Sequence, residues 1–147
     1  MEKTLIILKP DAVARRLVGD IVSRFERKGL KIIGLKLERV ARETIEKHYD
    51  EHRSKPFYAD LVGFMTMGPV VLLAFEGPYA VEVCRRLVGK TAGYEADAGT
   101  VRGDFSLSNQ FNLIHASDSV GSAEKELALF FQADELEDYA LPDQEWW

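Results

Sequence analysis

Thiols are nearly missing from this 147-residue chain, which has one cysteine, Cys84. A lone cysteine excludes an intramolecular disulfide and a cysteine-rich zinc site. Its apolar neighbours fit a buried thiol in a reducing compartment, so a cytoplasmic location is expected. A basic footprint is missing as well: 19 Lys and Arg against 24 Asp and Glu leave a net charge of −5. That balance gives no reason to expect a nucleic-acid partner, and any anionic ligand must be met by locally clustered bases. Long apolar runs are also absent. The stretch Leu5 to Leu8 is broken by Lys9-Pro10 and is too short for a signal segment, and no later run reaches membrane-spanning length, so a soluble, unprocessed chain without membrane contact is expected. With no repeat or linker, 46% hydrophobic and 29% charged residues fit one globular domain over 1–147.

The patterning that is present alternates between strand and helix. Thr4 to Leu8 reads as a buried strand ended by Lys9-Pro10-Asp11, because proline removes a ladder donor and restricts its predecessor. Val18, Ile21, Val22 and Phe25 recur at helical spacing, with Gly29 as a stop. Ile33, Leu35 and Leu37 alternate with Gly34, Lys36 and Glu38, which predicts a strand with one wet face. A helix is predicted over Ala41 to His52. A second starts from a Ser54 cap with Pro56 in its first turn, and Phe57, Leu61, Phe64 and Met65 form its stripe. The two make an inserted helical hairpin.

Gly68-Pro69 turns the chain into Val70 to Phe75, six apolar residues that read as a central strand buried on both faces. Tyr79 to Val88 reads as a helix with Val81, Cys84, Leu87 and Val88 inward, Arg86 outward and Arg85 on the flank, able to reach over the sheet edge. From Gly89 to Gln110 no periodicity is evident, and a segment that long is unusual unless functional. Phe111, Leu113 and Ile114 suggest a strand that stops at His115, where Ser117-Asp118-Ser119 offers turn and N-cap chemistry. Ala123, Leu127, Phe130 and Phe131 make a last helical stripe. The expected fold class is α/β in the sense of an α+β sandwich: a ferredoxin-like four-stranded antiparallel sheet covered by helices, with the helical hairpin inserted.

His115 stands out as a histidine at a strand end beside a loop, a position where the strand fixes the backbone and the loop leaves room for substrate. Around it the chain carries Lys9-Pro10-Asp11-Ala12-Val13, His48-Tyr49, Lys55-Pro56-Phe57, Gly68-Pro69-Val70-Val71, Gly99-Thr100-Val101-Arg102-Gly103-Asp104-Phe105 and His115-Ala116-Ser117-Asp118-Ser119. In this order and spacing the six motifs resemble nucleoside diphosphate kinases, from about Thr4 to Tyr139.

The resemblance implies ping-pong transfer of the γ-phosphate of a nucleoside triphosphate, typically ATP, to His115 and then to a nucleoside diphosphate. Imidazole suits this chemistry, because with a reference pKa of ~6.5 it is mostly neutral and nucleophilic at pH 7. By the same resemblance Glu126 orients the imidazole through its other nitrogen, and Ser117 supports that glutamate and the phosphoryl group. From periodicity alone Glu126 could be a solvated helix residue and Ser117 a turn serine. Lys9, Arg85 and Arg102 match phosphate-binding bases, Thr91 adds a hydroxyl, and Tyr49 matches a tyrosine near the phosphoryl position. Phe57 matches the aromatic that stacks on the base, Leu61 its apolar neighbour, and Asn112 with Lys9 the groups that meet the sugar hydroxyls. Stacking tolerates every base, so low base specificity follows. Mg²⁺ is implied as a cofactor held mainly by the substrate's own phosphates, with no protein metal ligand assigned. A homo-oligomer, most often a hexamer, is implied as well.

Strict strand period places Asn112 and His115 on opposite faces, so a site using both demands an irregular strand. Ala116, Gly93, Ala98 and Asn109 depart from the family pattern: glycine is usual at the first, proline at the next two and an apolar residue at the last. Without those prolines the long loop is expected to be less rigid, and Asn109 is expected to weaken base packing. Two rival readings remain: His48, Glu51 and His52 fit the H-x-x-E-H pattern of inverted zinc peptidases, and His115 could belong to a phosphocarrier that hands phosphate to a protein. The acidic tail ends in Trp146-Trp147, two indoles expected to dock on their own subunit or on a neighbour.

Overall fold

The computed structural model describes residues 1–146. Its strands are β1 (Glu2–Leu8), β2 (Lys31–Glu38), β3 (Val70–Gly77) and β4 (Ile114–Ala116), in the antiparallel order β2-β3-β1-β4. The helices are α1 (Pro10–Ala14), α2 (Val18–Arg27), α3 (Arg42–His48), α4 (Tyr58–Thr66), α5 (Ala80–Val88), α6 (Val101–Phe105) and α7 (Val120–Phe130). This is the α+β sheet that the patterning predicts. Among the described residues no helix is long and apolar enough to cross a membrane.

Period-two geometry divides the core into two layers. Ile6 and Leu8 of β1, with Leu73 and Phe75 of β3, meet Ile21, Phe25 and Cys84 on one face. Leu5, Ile7, Leu72 and Ala74 meet Ile45, Val62, Met65, Leu127 and Phe130 on the other. Each such Leu, Ile or Phe contributes about 1.5–3 kcal/mol on burial. The strand order puts β3 and β1 in the middle, which is why both read as unbroken apolar runs. Helix α2 ends as its sequence suggests: Gly29 sits at φ 100°, and Leu30 N–H and Gly29 N–H donate to Phe25 O and Glu26 O, a left-handed cap that favours glycine.

Four expectations are corrected. Ile33, Leu35 and Leu37 do not share a buried face: the register slips between Ile32 and Gly34, which sends Ile33 to one core layer, whereas Leu35 and Leu37 pair with Leu73 and Val71 and are 57% and 65% exposed. The Ala41–His52 helix stops at His48 and continues as a 3-10 turn over Asp50–His52, so His48 and His52 do not lie at i and i+4 of one α-helix. Ser54 caps nothing: α4 starts at Tyr58, and Phe57, 48% exposed, precedes the helix instead of heading its buried stripe. Finally, Phe111 is exposed and outside β4, which is only three residues long.

The segment from Gly89 to Gln110 contains a 3-10 turn at Gly93–Glu95 and the short α6, whose Thr100 side chain accepts from Gly103 N–H. A Cβ at Gly93 would lie 2.2 Å from Ser106 O, and Gly93 N–H donates to Ser108 O, so neither proline nor any larger residue fits there. In place of stiffening prolines the loop is clasped by Arg24, which pairs with Asp104 at 2.6 Å, donates to Gly99 O at 2.9 Å and lies over the Phe105 ring. Asp104 also accepts from Gly99 N–H, closing the clasp.

Candidate active site

The ends of β1 and β4 meet the loops from α5 and α6 around a cavity of about 580 Å³. Lys9, Tyr49, Phe57, Leu61, Arg85, Thr91, Arg102, Asn112 and His115 all line it, as does Asn109. Of the residues singled out from sequence, Glu126 and Ser117 are not on its wall. They stand behind His115, and Ser117 is fully buried.

Pairing with β1 fixes the His115 backbone opposite Ile7. Its Nε2 lies 2.7 Å from Glu126 Oε2, and Ser117 Oγ donates to the same oxygen at 2.9 Å. Ser119 caps α7 by accepting from Ser122 N–H, which starts the helix so that Glu126 falls within reach of the imidazole. Burial works against the Glu126 charge, but the His115 and Ser117 hydrogen bonds hold its carboxyl below the usual range. The ring therefore has one nitrogen engaged by an anion and Nδ1 left for chemistry.

The irregularity demanded by Asn112 and His115 is at Leu113, which has φ 72° although it is not glycine. Three contacts over-determine this strained residue: Lys9 N–H donates to Leu113 O at 2.8 Å, Leu113 N–H donates to Asp11 Oδ2 at 3.1 Å, and the side chain is fully buried. Asn112 then takes Lys9 Nζ on its Oδ1 at 2.7 Å and donates to Thr91 O and Asn109 O. Asp11 reads from sequence only as part of a strand-ending turn; the signal for its role is an acid one residue after Pro10, in the first turn of a helix. Burial raises its carboxyl above the usual value.

Three cations surround this frame. Burial and then the neighbouring Arg102 lower Lys9 to about 8. Burial and then Arg85 lower Arg102 to about 10. Arg102 donates to Asn112 O, Gly89 O and Ile114 O, which uses three of its five N–H groups and leaves two for a ligand. Arg85 is exposed and reaches Ala116 O at 3.3 Å, over the sheet edge as its helix position suggested. Two carboxylates also line the cavity, Asp60 and Asp118, and the Ser122 hydroxyl beside Asp118 holds its carboxyl below the usual range. Tyr49 is buried, which pushes its phenol pKa upward and keeps it neutral.

His48 adds an imidazole that sequence reasoning did not place. Its ring stands edge-on to His115 with centroids 4.6 Å apart, and burial and then His115 lower it to about 3. The zinc-peptidase pattern is not assembled: the ligand-capable cluster among the described residues joins His48 to His115 and Glu126, leaving out Glu51 and His52.

A site of this shape, with a carboxylate-held imidazole facing clustered bases, fits phosphoryl chemistry. The family model described as nucleoside diphosphate kinase matches residues 2–136. Nucleoside diphosphate kinases of Thermomicrobium roseum and Pyrococcus horikoshii are 52% and 54% identical over 146 and 141 residues, covering 99% and 94% of this chain and 98% and 90% of theirs. Among solved structures, a halophilic nucleoside diphosphate kinase of Halobacterium salinarum in complex with CDP superposes with a TM-score of 0.97 at 46% identity, covering 99% of this chain and 97% of that one. A family protein from Babesia bovis superposes equally well at 44% identity, with 99% of each chain covered. Matched by sequence and by fold over almost its entire length, this chain belongs to the nucleoside diphosphate kinase family.

Proposed function

We infer that this protein is a phosphotransferase that moves the γ-phosphate of a nucleoside triphosphate to a nucleoside diphosphate in two half-reactions through His115. The observation that carries the reading is the Ser117–Glu126–His115 chain opening onto a cavity lined by Lys9, Arg85 and Arg102. The Nδ1 lone pair attacks the γ-phosphorus, the bond to the bridging oxygen breaks, and the diphosphate leaves with that electron pair. Glu126 holds the Nε2 proton throughout, stabilising the cation that develops on the ring. In the second half-reaction an incoming diphosphate oxygen takes the phosphoryl group and the neutral imidazole returns.

Phosphoryl transfer depends mostly on position and charge. Lys9, Arg85 and Arg102 take the phosphate oxygens, with the Thr91 hydroxyl and the Tyr49 phenol completing the polar wall. Lys9 and Asn112, already joined, present one ammonium and one amide to the sugar hydroxyls. Phe57, half exposed at the rim, stacks on the base with Leu61 beside it, and this arrangement accepts purines and pyrimidines alike. Mg²⁺ fits as a cation brought by the substrate: the wall supplies Asp118 as an ionised oxygen ligand but no cage, and Mg²⁺ keeps several waters in such sites. Bound there it would neutralise phosphate charge.

We further propose a homo-oligomer, with the hexamer frequent in the family as the leading form. The second half of β2 supports it: Glu137 N–H and the Tyr139 hydroxyl take the carbonyls of Ile33 and Ile32, but Leu35 and Leu37 beyond them are exposed, and so is Trp146, 76% exposed in the single chain. Trp147 lies outside the described residues. The buried, free Cys84, its thiol pushed up to about 12 by burial, supports a cytoplasmic location. The test is exchange between ATP and each common nucleoside diphosphate: all should be phosphorylated, and His115→Ala should abolish every one. Exchange surviving in that variant would refute the reading.

A further inference from the structure

We propose that His48, His115 and Glu126 form a site for a borderline divalent transition-metal ion, with Zn²⁺ as the type case, whose binding shuts off phosphotransfer. Three elements deliver the ligands: His48 from the end of α3, His115 from β4 and Glu126 from α7. One nitrogen from each ring and one carboxylate oxygen lie within 4.8 Å of one another. Zinc holds such atoms at ~2.0–2.2 Å, which sets them ~3.4 Å apart in a tetrahedron. To take an ion at that spacing the 2.7 Å His115–Glu126 contact has to open, and any pair near the 4.8 Å limit has to close.

A second observation points the same way. His48 Nε2 is buried and has no hydrogen-bond partner among the described residues, which is costly for a ring nitrogen and is resolved by a metal ion. Glu126 also has capacity to spare, since both of its hydrogen bonds fall on Oε2. Two imidazoles and one carboxylate suit zinc and its neighbours, whereas Mg²⁺ prefers an all-oxygen octahedron. The substrate's cation therefore does not compete for this set.

Inhibition follows whichever nitrogen of His115 binds. A metal on Nδ1 consumes the lone pair that would attack phosphorus, and a metal on Nε2 forces the remaining proton onto Nδ1. The consequence for phosphotransfer rests on the function proposed above, but the binding itself does not.

The experiment uses nucleotide-free full-length protein in chelator-buffered Zn²⁺. Equilibrium dialysis should show one ion per chain, and zinc-edge X-ray absorption should show two imidazole nitrogens with oxygen neighbours. His48→Phe keeps an aromatic ring and removes the ligand, so affinity should fall at least about tenfold. Buffered Zn²⁺ should suppress labelling of His115 by ATP in the parent protein at concentrations that spare His48→Phe, each compared with its own zinc-free labelling. Equal affinity in the two proteins overturns the proposal, as does equal suppression, which would mean that zinc acts on the nucleotide. A sulfur-containing or all-oxygen shell overturns it in the parent protein alone, should His48→Phe fail to fold. Absence of labelling without zinc would instead refute the function while leaving the binding result readable.

Discussion

Replacing Glu126 by glutamine keeps the shape of the side chain and removes only its charge. In the native protein the carboxylate meets His115 Nε2 at 2.7 Å, and their side chains are only 16% and 22% exposed, so solvent screens the contact weakly. A hydrogen bond to a charged group contributes about 1.5–3 kcal/mol, and a neutral one about 0.5–1.5 kcal/mol. In the proposed mechanism the difference, on the order of 1–2 kcal/mol, is stabilisation that grows as the ring becomes cationic during attack. At about 1.4 kcal/mol per decade it corresponds to a roughly 5- to 30-fold slower formation of the phosphoenzyme. The amide can also turn its NH₂ towards Nε2, which places the ring proton on Nδ1 and adds to the loss. Rapid-quench labelling with ATP measures this step directly, with nucleotide affinity expected to change little because Glu126 does not line the cavity. A rate within twofold of the parent would mean that Glu126 neither orients the ring nor stabilises its charge.

The lowered Lys9 gives a pH signature. Its pKa of about 8 in the fold means that its charge, and with it the phosphate binding proposed for it, is present below that pH and lost above it. kcat/KM, which reports the free enzyme, should therefore fall above about pH 8. Lys9→Arg should move that limb upward, and a limb unchanged in the variant would assign it to another group. The sign for stability is the reverse: the unfolded chain holds the proton more tightly, so the cost of burying charged Lys9 should fade as pH rises from about 8 towards 10.5 in denaturant titrations. Asn109→Val should lower nucleotide KM values by up to about tenfold, about 1.4 kcal/mol, if the amide weakens base packing, and unchanged values would show that Asn109 does not touch the base. Deleting Gln144 to Trp147 should lower the melting temperature of the proposed homo-oligomer and shift sedimentation towards smaller species. An unchanged oligomer would remove the tail from the interface.

Elements that bury a regular stripe were legible from sequence. Leu5 to Leu8 and Val70 to Phe75 are filled on both faces by two core layers, and Ile21 with Phe25 or Ala123 with Leu127 keep helical spacing because one side of each helix is buried. Where the backbone breaks period, the pattern misled: the bulge at Ile33 moves Leu35 and Leu37 to the uncovered side without changing a single residue type. Helices α1 and α6 are too short, at five residues each, to show a repeat, and their starts depend on Pro10 and on Thr100 accepting from Gly103. In the site, Lys9, Tyr49, Phe57, Arg102, His115 and Ser117 stand in the six motifs, whereas Leu61, Arg85, Thr91, Asn112 and Glu126 carry no local signal of their role and were singled out only through the resemblance. The geometry was visible only as a conflict, since Asn112 and His115 cannot share a regular strand, and the left-handed Leu113 held by Lys9 and Asp11 resolves it. That His48 faces His115 depends on where α3 ends against β4, which no local pattern encodes.

The central claim is that His115 carries the phosphoryl group between nucleotides. Protein labelled from γ-labelled ATP, freed of nucleotide and then given GDP alone should release its label as GTP within the dead time of manual mixing, with phosphate mapped to Nδ1 of His115 beforehand. Label that stays on the protein until a partner protein is added, or that maps to any other residue, would contradict the account.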